Sequence, residues 1–173
     1  STNIQNNSTQ NGIIKEIIDY VGFLFIGIIK VDEEPYVIEY NVRMGDPETQ
    51  VVLPRIKNDF LEMMADTAKG SLKSIKLEMD ESTFANVVMV SGGYPEAYER
   101  GKNITGLNTS HDSIILHAGT KSEGHDVVTN GGRVLSVISK STDFQSALEK
   151  SYKTINSIDF EGKYYRKDLG FDL

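Results

Sequence analysis

Val37–Gln50 reads "VIEYNVRMGDPETQ". Glu39, Asn41 and Arg43 fall at every second position, and the run passes directly into Gly45, Asp46, Pro47 and Glu48. Side chains alternate sides along a strand, so a strand here puts these three on one face and Ile38, Tyr40 and Val42 on the other. A carboxylate, an amide oxygen and a guanidinium then converge. The two oxygens are hard ligands of the kind magnesium takes, and magnesium commonly draws its remaining ligands from water and substrate phosphates. A guanidinium beside them can stabilise charge on a transferred phosphoryl group. Taken alone, the alternation is a weak signal and describes a solvated strand face better than a site.

On either side of this stretch the chain reads as α+β. Residues Ser1 to Gly12 are a polar, low-complexity lead-in. Ile13, Ile14, Ile17, Ile18 and Val21 recur at helical spacing and predict a short amphipathic helix. Phe23 to Val31 and Tyr36 to Arg43 read as paired strands joined by an antiparallel turn at "DEEP". Pro47 to Ile56 and Asp59 to Ala68 read as two consecutive helices, with Asp46 ahead of the first and Gly70 after the second.

From Ile75 onward β-rich runs take over: "IKLEM", "FANVVMVSG", "SIILHAGT", "HDVVTN" and "RVLSVISKS". Turn residues bound each run, which predicts a mostly antiparallel sheet. A helix from about Thr142 to Ile155 presents Phe144, Leu148, Tyr152 and Ile155 on one face to pack against it, and Tyr164 to Arg166 adds a covering strand.

Bulk composition narrows the function classes. At 173 residues, 39% hydrophobic and 25% charged, the chain is an ordinary globular one, able to bury roughly 70% of its unfolded surface. No apolar run reaches the ~20 residues that span a bilayer, which argues against a membrane partner. The net charge is −7 and the basic residues are scattered, which argues against nucleic acid. There is no cysteine, and His111, His117 and His125 lack zinc-ligand spacing, so any metal must be held by oxygen. The chain shows no signal peptide and begins at Ser1 without an initiator Met, from which we expect a piece of something longer.

The longer run "EYNVRMGDPETQVVLPR" closely resembles the signature of the glycinamide ribonucleotide synthetase family of the ATP-grasp superfamily. "SGGYPEAYERGKNITGL", "ILHAGT" and "TNGGRVLSV" resemble that family's downstream motifs, in the same order. The resemblance covers about Tyr20 to Leu173 and departs over Ser1 to Asp19.

It implies the carboxy-terminal portion of such an enzyme. The polar lead-in and short helix would be residues 1–19, the last strands and helix of an ATP-grasp antiparallel sheet 20–56, and a compact sheet-and-helix domain 57–173. Upstream domains of the same parent chain would hold most of the nucleotide. The implied reaction is cytoplasmic and belongs to purine biosynthesis: glycine and 5-phosphoribosylamine are joined with ATP as co-substrate, and the isolated piece is expected to be inactive.

By motif position the resemblance makes Glu39 and Asn41 ligands of Mg2+ or Mn2+, and Arg43 the catalytic arginine at the acyl phosphate. Asp46 becomes a contact to the sugar or amine substrate, and Asn130, Gly131, Gly132 and Arg133 a substrate-phosphate turn. Several neighbouring residues admit quieter readings. Glu48 suits a helix start, and "TNGGR" suits a hairpin carrying a surface arginine. His117 suits a satisfied sheet-end histidine, and Tyr94, Pro95 and Tyr98 suit either packing or a cleft mouth. A non-catalytic module that binds a phosphosugar is the alternative for the whole chain.

Overall fold

A computed structural model describes residues 20–109 and 112–171. The expected lead-in, and the expected helix up to residue 19, lie outside the described residues. The rest is α+β, with antiparallel strand pairs and helices, and falls into two compact units. One holds residues 20–43 and 61–75, the other residues 44–60, 76–109 and 112–171.

In the first unit, β1 (Phe25–Val31) pairs with β2 (Glu34–Asn41). The loop between them is only Asp32 and Glu33, at φ 48° and 70°. Two successive positive φ values are those of the type I′ turn, whose twist suits a two-residue hairpin. Ile28, Ile29, Tyr36, Val37 and Ile38 are all exposed. Helix Phe60–Lys69, the second among the described residues, starts where the two units meet in sequence. Gly70, at φ 73°, ends it. The Gly70 N–H donates to Thr67 O and the Ser71 N–H to Asp66 O, the paired bonds of a Schellman cap, which glycine accommodates without strain.

In the second unit, Pro47 to Ile56 forms not one helix but α1 (Thr49–Val52) followed by a 3-10 turn at Leu53–Arg55. Pro54 lies within that turn, where it has no N–H to continue an α-helical ladder. The central sheet runs β3 (Thr83–Val90), β7 (Arg133–Ser141), β4 (Ile114–His117), every pair antiparallel. A separate hairpin joins β5 (Thr120–Glu123) to β6 (Asp126–Thr129). Helix α3 (Phe144–Ser157; Phe60–Lys69 being α2) packs on β3 and β7.

Alternation along β3 buries Ala85, Val87 and Met89 against Ala147, Leu148 and Ile155 of α3. Asp143 caps the helix by accepting from the Ser146 N–H at 2.8 Å. Hydroxyls of Ser113, Ser139, Ser151 and Thr154 satisfy one another at this interface.

Two expected strands shrink to single bridges. In "IKLEM" only Met79 pairs, with Ile56, because its neighbour is the end of a 3-10 turn and not a strand. In Tyr164–Arg166 only Tyr164 pairs, with Val90. Among the described residues no helix is long and apolar enough to cross a membrane.

Asp80 ties this unit together. Its N–H donates to Arg55 O and its carbonyl accepts from Arg55 Nε. Lys140 Nζ at 2.9 Å, and then the Ser82 N–H at 2.9 Å, hold its carboxyl well below the usual carboxylate range. A carboxyl lowered by folding binds its proton more weakly in the folded chain than in the unfolded one. Its stabilisation is therefore complete above the unfolded value of about 3.9 and is lost as pH falls through the folded value. Lys140→Gln removes the largest cause. The wild type should resist denaturant better than this variant near neutral pH, with the gap closing only below about pH 4. Equal midpoints at neutral pH would dismiss the contribution.

Candidate functional site

Within the first unit, β2 carries Glu39 and Asn41 on one face, opposite Gly27 and Phe25 of β1. A Cβ at residue 27 would sit 3.0 Å from Glu39 Cγ. Glycine there leaves room for the glutamate side chain across the strand pair. Glu39 is exposed and Asn41 half-buried. Arg43 does not extend their alternation, because β2 ends at Asn41 and Arg43 lies exposed in the bend that follows. Among the described residues no group of three or more His, Cys, Asp or Glu side chains could hold a metal ion. Glu39 with Asn41 supplies two hard oxygens, which suits a cation that takes its other ligands from phosphate and water.

The second unit organises the turn that follows. Gly45 is buried, and its carbonyl accepts from both the N–H and the hydroxyl of Thr49. Glu48 is exposed at the N-cap of α1 and makes no side-chain cap bond. The carboxylate of Asp46 accepts from Gln50 Nε2 at Oδ1, 2.8 Å, and pairs with Arg133 Nη2 at Oδ2, 3.1 Å. Arg133 Nη1 also donates to the Asp46 carbonyl at 3.0 Å. Asn86 Nδ2 donates to the Pro47 carbonyl at 3.2 Å. The Asp46–Pro47 and Tyr94–Pro95 peptide bonds are cis.

Three of the quoted motifs meet beneath Arg133. The ring of Tyr94 lies where a Cβ on Gly132 would be, 2.0 Å from its Cδ2. A Cβ on Gly119 would come within 2.6 Å of Gly131 Cα. Ser91 donates its N–H to Gly132 O and its hydroxyl to Gly131 O, and the Asn130 N–H donates to Gly119 O at 2.7 Å. The paired glycines thus serve close backbone and ring contact, which any side chain would prevent.

Beside them opens a cleft of about 410 Å³ with mainly apolar walls. Pro47, Asn86, Val88, Tyr94, Arg133 and Tyr164 are among its lining residues. The buried Oδ1 of Asn86 and the buried Oε1 of Gln50 have no hydrogen-bond partner. His117 stands outside the site, its Nδ1 2.9 Å from the Thr120 hydroxyl.

Asp46 and Arg133, both predicted site residues, are thereby brought together, while Glu39, Asn41 and Arg43 belong to the other unit. Sequence reasoning missed Gln50 and Asn86. The four-residue spacing from Asp46 to Gln50 and the lone amide in "FANVVMV" were the available signals.

Residues 84–172 match the family described as phosphoribosylglycinamide synthetase, C domain. Residues 2–49 match phosphoribosylglycinamide synthetase, ATP-grasp (A) domain. The chain is 44% identical over 173 residues to a phosphoribosylamine–glycine ligase of Fusobacterium nucleatum, covering 96% of this chain and 41% of the relative. It is 45% identical over 154 residues to that of Chlorobaculum tepidum, covering 87% of this chain and 36% of the relative.

A crystal structure of phosphoribosylamine–glycine ligase from Thermotoga maritima superposes with a TM-score of 0.73 at 36% identity, over 84% of this chain and 36% of that one. Kluyveromyces lactis urea carboxylase, at 15% identity and a TM-score of 0.58 over 80% of this chain and 12% of that one, shares the fold alone. The chain therefore spans about two fifths of the length of these ligases.

Proposed function

The chain belongs to the phosphoribosylglycinamide synthetase family, and on that premise we propose that it forms part of a phosphoribosylamine–glycine ligase: the end of the ATP-grasp sheet and the domain that follows it. The observation that carries this reading is the pair of family matches, one ending and the other beginning on either side of residues 50–83. The reaction joins glycine to 5-phosphoribosylamine with ATP. The glycine carboxylate attacks the γ-phosphorus as the bond to ADP breaks, giving glycyl phosphate. The amine then attacks the glycyl carbonyl, loses a proton and expels phosphate. Glycinamide ribonucleotide, ADP and phosphate are the products.

In this reading Glu39 and Asn41 hold a divalent cation, Mg2+ or Mn2+, which when bound neutralises charge on the nucleotide phosphates. Arg43 places its guanidinium against the acyl phosphate. Asp46, an acceptor-only anion, takes N–H or O–H donors of the phosphoribosylamine. The turn Asn130–Arg133 borders the same substrate. Upstream chain supplies the remainder of the nucleotide site.

The 173-residue chain alone should form no glycinamide ribonucleotide. The complete polypeptide should release ADP only when glycine and 5-phosphoribosylamine are both present. Turnover by the purified chain would overturn the division of labour. A complete polypeptide that binds the phosphosugar without releasing ADP would establish the non-catalytic module instead.

A further inference from the structure

We propose that Arg133, assisted by Gln50, is a positioning residue that sets the carboxylate of Asp46 toward the amine-bearing substrate, and that it acts through Asp46 and not as an independent grip on phosphate. This rests on the reading of the chain as part of the ligase. One guanidinium bridges the side chain and the main chain of a single residue, through Oδ2 at 3.1 Å and the carbonyl at 3.0 Å. That double attachment fixes the aspartate rotamer relative to its own peptide plane, which a point charge such as lysine cannot do. Gln50 holds the other carboxylate oxygen at 2.8 Å. Its Nε2 must face Asp46, because the reversed amide would set two oxygens against each other. Each carboxylate oxygen keeps a free lone pair for an incoming donor.

The base of Arg133 is held by its neighbours. Its carbonyl accepts from the Gly119 N–H at 2.8 Å, and the next residue back, Gly132, lies under the Tyr94 ring. The β3–β7 register shifts at this point, so that Val90 faces Arg133 while Met89 faces Leu135. Bulges of this kind re-aim a side chain, and here Val134 and Leu135 are both buried while Arg133 turns outward. The two partners remain 39% and 53% exposed, and such exposed pairs add little to stability. Fold maintenance is therefore a poor reason for the contact. A phosphate approaching Arg133 would also meet the Asp46 carboxylate, whose charge opposes it.

A double-mutant cycle in the complete ligase tests this, with Asp46→Asn, Arg133→Ala and the pair combined, alongside Arg133→Lys. Loss of a charge-assisted contact should raise KM for 5-phosphoribosylamine by roughly 10- to 100-fold in Asp46→Asn. Arg133→Ala should move the same parameter in the same direction, leaving KM for ATP unchanged. Combining the two should add nothing to Asp46→Asn alone, and Arg133→Lys should not rescue. Multiplying effects in the combined variant would overturn the proposal, as would rescue by lysine. So would failure of Arg133→Ala to fold, since a positioning pair at the surface is not required for folding. If the unmodified ligase shows no amine-dependent ADP release, the functional reading falls instead, before any variant is compared.

Discussion

Glu39→Ala in the complete ligase should raise the magnesium concentration needed for half-maximal rate and lower the rate at saturating substrate by about 10²-fold or more. The expectation follows from the donor set. Among the described residues there is no cluster of three or more acidic or histidine side chains from which a replacement ligand could be drawn. Asn41 is a neutral donor, so the substitution removes the only negative charge on that face of β2 near the strand end. The fold should tolerate the change. Glu39 is exposed, and its nearest cross-strand partner is Gly27, which loses no side-chain packing when the glutamate is shortened. A magnesium titration that superimposes on the wild type would remove Glu39 from the metal site. A variant that no longer folds would instead show that its contact with Gly27 is structural.

The second unit was the more legible one because its pattern is dictated by burial. Ala85, Val87 and Met89 alternate with outward residues, and the α3 residues Leu148 and Ile155 recur at helical spacing. Both patterns follow directly from which side chains must leave water. The strand β5, "TKSE", carries no such mark, since none of its side chains is buried and its pairing with β6 is a matter of backbone alone. In "IKLEM" the apolar alternation is real, yet among the described residues only Met79 finds a pairing partner, the single bridge to Ile56.

The clamp on Asp46 shows a different limit. Arg133 lies 87 positions from Asp46, and no local periodicity connects them. The resemblance marked both positions as substrate contacts but could not reveal that they bond to each other. Gln50 was within reach of a local argument, because it stands only four positions after Asp46, across the turn that leads into α1. The glycines of "TNGGR" read from sequence as permission for close approach. The approach in the structure is by the Gly119 backbone and the Tyr94 ring, partners that only the fold could supply.

Arg43→Lys in the complete ligase should lower kcat far more than it weakens ATP binding. Arg43 follows the last residue of β2 by two positions and is exposed, so the substitution leaves the strand pairing and the core of either unit untouched. Lysine keeps the charge and discards the planar fork, which is the feature that matters if two oxygens of an acyl phosphate are held at once. Loss of one well-aimed donor at a developing anion is worth roughly 3 to 4 kcal/mol, or about 10²- to 10³-fold in rate. An arginine that merely faces solvent changes stability by about ±0.5 kcal/mol when replaced and leaves chemistry alone. The two cases are separated by orders of magnitude, so a single comparison decides between them: steady-state kcat for both proteins, with ATP affinity measured apart from turnover. A drop in kcat at nearly constant ATP affinity identifies an interaction made in the transition state. Near-normal kcat in the lysine variant would make Arg43 a solvated residue of the bend after β2 and would move the stabilisation of the acyl phosphate to another part of the ligase.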